Sequence, residues 1–285
     1  MKILNKSFFC LLMCFYMPLL GKDTVLRLAD DFFTADFYEE AITEYQRYIF
    51  FNDRVREVSY AYYKIGLAYR NMRNLEKSSD AFELSAHVAF SDTAKDKRKI
   101  DIAVNCIAGG EYSKAKFILL RLVAFSGVPE IRREASLFLG IAHLYNYEWE
   151  SAKDALEVYF RYEKNEEAGY IVDSLLIDAE NIKYKSPTTA RWLSTFVPGT
   201  GQMYAGNAGS GINALVLNGA NIYWIIYKLL KEQYGNAYLI YFFLFRRYYM
   251  GNIYNARKEA REYNRRINEQ TAEKIFDLLE EVSRE

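Results

Sequence analysis

Four segments of equal length set the fold: ADDFFTADFYEEAITEY (residues 29–45), GLAYRNMRNLEKSSDAF (66–82), AVNCIAGGEYSKAKFIL (103–119) and GIAHLYNYEWESAKDAL (140–156). Each begins 37 residues after the last. In this register Ala29, Gly66, Ala103 and Gly140 share one column, and Phe32, Tyr69, Cys106 and His143 another. Ala41, Ser78, Ala115 and Ala152 form a second small column, followed by bulky Tyr45, Phe82, Leu119 and Leu156. Two small columns and a bulky one at a fixed period predict a repeat of helical units, each of which a neighbouring unit must cover.

Between the helices of a unit lie Asp36-Phe37-Tyr38-Glu39-Glu40, Arg73-Asn74-Leu75-Glu76-Lys77, Gly110-Glu111-Tyr112-Ser113-Lys114 and Tyr147-Glu148-Trp149-Glu150-Ser151. An aromatic or Leu wedges under the second helix, which opens on acidic residues or Ser, as its positive N-terminus prefers. The pattern resembles the tetratricopeptide repeat, over roughly half the chain. The family's usual period is ~34, so three extra residues lengthen the connection between units.

That resemblance implies a solenoid whose first helices line a concave, partner-binding groove. It carries the groove positions onto Tyr63, Leu67, Arg70, Asn71, Ile100, Val104, Ile107, Leu137, Ile141 and Tyr145. These are mostly apolar and aromatic, so the implied ligand is an amphipathic helix or apolar segment. The alternative is that some of them are core. His143 and Cys106 occupy a packing column and read as buried structural residues.

The remaining chain differs sharply. Residues 192–227, WLSTFVPGTGQMYAGNAGSGINALVLNGANIYWIIY, hold no charged residue in a chain that is 26% charged. Lys185-Ser186-Pro187-Thr188-Thr189 breaks a partial fifth unit, with a Thr available to cap the helix that follows. The turn Pro198-Gly199-Thr200-Gly201-Gln202-Met203-Tyr204 resembles one in two-helix membrane hairpins of bacterial envelope proteins, over about 192–255. The glycines lack the Lys-Ser/Thr of a P-loop and the third Gly of a dinucleotide fingerprint. Tight turns and close helix approach account for them.

Residues 211–230 read as one helix of ~30 Å, a hydrocarbon thickness. Gly211, Ala214, Asn218 and Asn221 fall on one face, inviting a second helix and hydrogen bonds to it, while Trp224 lies among the apolar residues elsewhere. The return helix begins NAYLIYFFLF at 236–245, and Arg246-Arg247 then interrupts it. Arginine in mid-membrane costs at least ~2.5 kcal/mol on insertion scales. The hairpin is therefore expected to dip with snorkelling arginines, or to pack as a soluble cap.

The fold expected is all-α. Residues 1–21 are a signal peptide or uncleaved anchor, with Lys2 and Lys6 before an apolar run, so the chain is exported to a cell envelope, its repeats periplasmic. Residues 22–184 are the repeats, 185–256 the turn and hairpin, and 257–285 a charged helix whose basic residues suit anionic headgroups or pair at i,i+4, as Glu262 with Arg266. Thirty-seven basic and thirty-seven acidic residues cancel, so no field favours nucleic acid. Cys and His spacings suit neither zinc nor a catalytic thiol, and no cofactor or metal is implied. Asp30-Asp31 and Glu39-Glu40 read as solvated. The chain reads as a non-enzymatic adaptor with a protein partner and membrane lipid, or as a soluble periplasmic chaperone or assembly subunit; its oligomeric state is open.

Overall fold

A computed structural model describes residues 22–163 and 165–284, and every regular element among them is helical. The expected signal peptide lies outside the described residues. The chain divides into two compact units, Met1–Asp173 and Ser174–Glu285. The division falls inside a helix, Glu166–Glu180, ahead of the expected boundary at 184/185.

The first unit is a helical repeat of four pairs: α1 (Lys22–Thr34) with α2 (Tyr38–Phe50), α3 (Val55–Asn71) with α4 (Leu75–His87), α5 (Asp92–Ala108) with α6 (Tyr112–Phe125), and α7 (Pro129–Tyr145) with α8 (Trp149–Glu163). Helix α9 (Glu166–Glu180) follows. The helices of each pair pack on one another, α2, α4 and α6 pack on the first helix of the following pair, and α5 also touches α7, first helix to first helix.

The columns of the sequence are the contacts of the fold. Tyr45, Phe82, Leu119 and Leu156 are buried, as are Ala41, Ser78, Ala115 and Ala152. In the second and fourth units the bulky residue seats on the small residue sixteen positions earlier. A β-carbon on Gly66 would meet the Phe82 ring, and one on Gly140 would come within 2.6 Å of Leu156 Cγ. The third column acts through its backbone. Phe37, Asn74, Glu111 and Glu148 N–H donate to the carbonyls of Phe32, Tyr69, Cys106 and His143 at 2.7–3.0 Å. The residue before each donor, Asp36, Arg73, Gly110 or Tyr147, has φ between 57° and 77°. This is the left-handed turn that closes a helix by satisfying its last carbonyls. The column therefore tolerates Phe, Tyr, Cys and His alike, since its invariant contribution is a carbonyl.

The second unit uses the same turn. It contains α10 (Pro187–Phe196), the five-residue α11 (Thr200–Tyr204), α12 (Ala208–Leu230), α13 (Tyr234–Leu239), a π-helical stretch (Ile240–Phe245) and α14 (Arg246–Arg284). Gly206 (φ 87°) and Glu232 (φ 57°) are the left-handed residues of these turns, with Asn207 N–H on Gln202 O and Gln233 N–H on Lys228 O at 2.9 Å each. Ser186, not a Thr, caps α10: its hydroxyl accepts from Thr189 N–H at 3.2 Å, with Pro187 at the first helical position. Helix α12 starts three residues earlier than expected.

One expected boundary is absent. Residues 234–284 run as helix without a break, so the return arm of the hairpin and the charged C-terminal stretch are one element, with no division at 256/257. Ala256 and Ala260, buried with Ala190 and Ala205, let α14 approach α10 and α11 closely. Close packing there outweighs the change in charge composition that suggested a boundary. Ile275 and Leu279 on α14 are buried. Among the described residues of α14, Arg265 pairs with Glu262 (2.7 Å) and with Glu269 (2.6 Å), in place of the expected Glu262–Arg266 pair.

Candidate functional site

The glycine-rich turn is a structural joint. Gly199 has φ 95°, and a β-carbon there would strike the Gly211 carbonyl. A β-carbon on Gly201 would collide with the Ala190 carbonyl and Ser194 Oγ, and one on Gly211 would reach Met203 Cγ at 2.5 Å. Three backbones therefore approach as only glycine permits. Pro198, half-buried, leads into this crossing.

A buried polar network locks the joint. Ser194 hydroxyl donates to Gln202 Oε1 (2.8 Å) and accepts from Gly201 N–H (3.0 Å). Gln202 Nε2 donates to Asn252 Oδ1 (2.9 Å) and to its carbonyl (3.1 Å). Asn252 Oδ1 also accepts from Gly199 N–H (2.9 Å), while its amide donates to Ser194 O (2.9 Å). Ser194, Gln202 and Asn252 are all buried, and their amides and hydroxyl are satisfied, so the network stiffens the joint with no orphaned group. Tyr204 hydroxyl accepts from Ser186 N–H at 3.1 Å, and Lys185 covers the Tyr204 ring at 4.9 Å. These contacts explain Gly199, Gly201, Gln202 and Tyr204 as fold determinants. Gln202 alone was legible; Ser194 and Asn252 were not, because the bond that links them joins residues 58 apart.

Beyond the joint the hairpin is greasy. On α12 the strip through Gly211, Ala214, Asn218, Asn221 and Ile225 is buried or half-buried. The amides do not bridge to the second helix as expected. Asn218 and Asn221 donate to Ala214 O (2.7 Å) and Leu217 O (2.8 Å) of their own helix, and Asn218 Oδ1 is buried without a partner. Every other direction around α12 shows apolar side chains to solvent: Ile212, Val216, Tyr223 and Leu230 one way, Leu217 and Trp224 another, Leu215, Ile222 and Ile226 a third. Trp224 is 54% exposed. Across the turn Tyr238, Leu239, Phe242 and Phe243 are exposed too, as is Phe196 (79%) at the end of α10. Arg246 and Arg247 are exposed on the return arm with no carboxylate at ion-pair distance among the described residues. No described helix is long and apolar enough to cross a membrane; α12 carries three asparagines and four glycine or serine residues before Lys228.

The groove predicted on the repeats is more tightly packed than its residue types suggest. Ile100 is core. Tyr63, Leu67, Val104 and Ile107 lie half-buried against that core, and Leu137 and Ile141 are half-buried as well. Asn71 and Tyr145 are exposed, and Tyr145 stacks on Tyr112 with ring centres 5.6 Å apart. Arg70 is committed: its guanidinium reaches Asn105 Oδ1 (2.8 Å), Asp101 Oδ1 (3.2 Å) and Asp101 O (2.7 Å), tying α3 to α5. Arg98 joins Asp101 at 3.8 Å and lies 3.6 Å over the Tyr63 ring. Burial raises the Asp101 carboxyl above its usual range, with Arg70 and Arg98 pulling the other way. An ionic seam thus runs along first helices that the sequence suggested were greasy.

One smaller expectation changes. Asp30 is a fold residue: its carboxylate accepts from Tyr45 (2.5 Å) and Tyr60 (2.9 Å), and burial followed by those bonds raises both phenols. Asp31, Glu39 and Glu40 are exposed. His143 Nδ1 meets Glu148 Oε2 at 2.6 Å, and Cys106 is buried, its thiol raised by that burial. No group of three or more His, Cys, Asp or Glu could hold a metal among the described residues.

No protein-family model and no curated protein matches this chain. Among solved structures it is similar to the crystal structure of the apo form of RapI, at 14% identity and a TM-score of 0.43, over 85% of this chain and 100% of that one. The helical repeat rests on this chain's own geometry.

Proposed function

We propose that this protein is a non-enzymatic scaffold whose repeats bind a protein and whose C-terminal hairpin lodges in a lipid surface. The observation that supports it is the circumference of α12. A single protein partner covers one face of a helix, leaving the rest polar; only a surrounding apolar medium suits a helix that is greasy over all but its packed strip. Each Leu or Ile left half in water forgoes about 1 kcal/mol of burial, a standing drive to find such a medium.

Entry from one side fits better than crossing. Arg246 and Arg247 lie roughly 20 Å along the helix from Glu232, so their level divides the hairpin. Exposed and without a carboxylate partner among the described residues, they suit headgroup phosphates, and Arg257, Lys258 and Arg261 continue the basic run on α14. The Lys2–Lys6 and apolar pattern at the N-terminus supports export and a cell-envelope location. The second reading, a soluble chaperone or assembly subunit, is favoured by Lys228, Lys231 and Glu232 at the hairpin tip, charges that resist immersion.

Flotation of the full chain with vesicles separates the two. Binding to vesicles containing phosphatidylglycerol, weaker on purely phosphatidylcholine vesicles, supports the lipid reading. A chain monodisperse without detergent that stays at the bottom of the gradient supports the second.

A further inference from the structure

A cleft of about 550 Å³ opens on the repeats between α4, α5 and α6, and none of the predicted groove residues lines it. Its floor is Ile102, Ile118 and Leu122. Ile102 and Leu122 belong to the buried core, so the floor is rigid and apolar. Two aromatic rings form its lip, Phe117 at 63% exposure and Phe125 at 81%. Large aromatic rings left in water beside a preformed cleft are the residues that carry binding energy when covered. The volume lies in the range of ligand sites and accepts a few side chains.

The charges around it are not symmetric. Lys95, Lys99 and Arg121 stand on the α5 and α6 sides, with Asp96 held by Lys99 at 2.8 Å. Lys95 and Arg121 have no carboxylate at ion-pair distance among the described residues; Arg121 rests only over the Phe117 ring, 5.8 Å from its centre. Glu83 and His87 stand on the α4 side. A ligand is thus held by apolar contact below and by two uncommitted cations on one side, while Glu83 turns acidic groups away from the other.

We propose that this cleft binds an acidic segment of a partner protein that carries an aromatic or aliphatic anchor. The anchor seats on Ile102, Ile118 and Leu122 between the two phenyl rings, and its neighbouring carboxylates meet Lys95 and Arg121. The proposal rests on the reading of the repeats as a protein-binding surface, and is independent of the hairpin.

Selection of a random displayed peptide library on the full chain in detergent tests it, followed by binding of the enriched peptides in solution. The result expected is enrichment of sequences pairing Asp or Glu with Phe, Leu or Trp. Their affinity falls about tenfold or more in Lys95→Glu/Arg121→Glu, and equally in Phe125→Ser, and weakens as salt rises. All three positions are exposed, so the variants keep their helical circular dichroism. Peptides that bind wild type and both variants alike overturn the cleft and leave a protein-binding scaffold standing. No enriched peptide overturns both.

Discussion

The Phe82 ring occupies the space where a β-carbon on Gly66 would lie: such an atom would come within 2.5 Å of Cδ1 and 3.0 Å of Cζ. Those two residues are the first-column and last-column positions of one repeat unit. Gly66→Ala would gain up to ~1 kcal/mol of helix propensity. The collision costs about 1–3 kcal/mol, since Phe82 is buried and cannot swing away. Overpacking therefore wins. Urea denaturation should show Gly66→Ala destabilised and Gly66→Ala/Phe82→Leu recovering most of the loss, whereas additive losses would break the pairing.

The left-handed turns give the opposite sign. Arg73 (φ 59°) and Tyr147 (φ 57°) hold a conformation that non-glycine residues enter at about 1 kcal/mol, and Gly110 does the same duty in the third unit without that penalty. Arg73→Gly should leave stability unchanged or raise it by up to about 1 kcal/mol, after the entropy glycine adds to the unfolded chain. Thermal unfolding of Arg73→Gly beside Arg73→Val would check this, with valine lowering the midpoint.

Glu148 supplies a pH signature. Burial opposes its ionisation, but hydrogen bonds from Lys116 (2.7 Å), His143 and Asn146 outweigh that and hold its carboxyl at about 2. Unfolded, a Glu titrates near ~4.3. A folded pKa depressed below the unfolded one contributes stability that is present above ~4.3 and lost as the pH falls toward 2. The gap in melting temperature between wild type and Glu148→Gln should be full at pH 7 and close between about pH 4.5 and 2. A gap independent of pH would mean packing, not charge, holds this turn.

In the second unit, Gln202→Leu should cost about 2–4 kcal/mol, because Asn252 and the Ser194 hydroxyl lose their buried partner together. Hydrogen exchange should locate the effect in α10 to α14. Protection lost equally across α1 to α8 would contradict the network's role as a local joint.

Much of this was legible from residue spacing. Small and bulky columns at a constant step encode a contact within a unit, Gly66 on Phe82 and Gly140 on Leu156, so the repeat follows from one dimension of information. Groove composition did not translate into groove exposure. Ile100 became core, and Arg70 was drawn to Asp101 and Asn105 one unit away, a pairing that depends on how units stack. The same limit hid Asn252, which reads as one more uncharged residue until α14 folds back on the Pro198-Gly199 turn. The cleft between α4 and α6 is built by three helices whose relative tilt no local pattern records.

The most direct test of a lipid-lodged hairpin places one reporter on it. In a chain carrying Trp149→Phe and Trp192→Phe, Trp224 is the sole tryptophan, more than half exposed on α12. With phosphatidylglycerol-containing vesicles its emission should shift to the blue. Lipids brominated on their acyl chains should quench it, while acrylamide should lose access. Emission that stays red, ignores brominated lipid and remains open to acrylamide at saturating vesicle concentration would contradict the account.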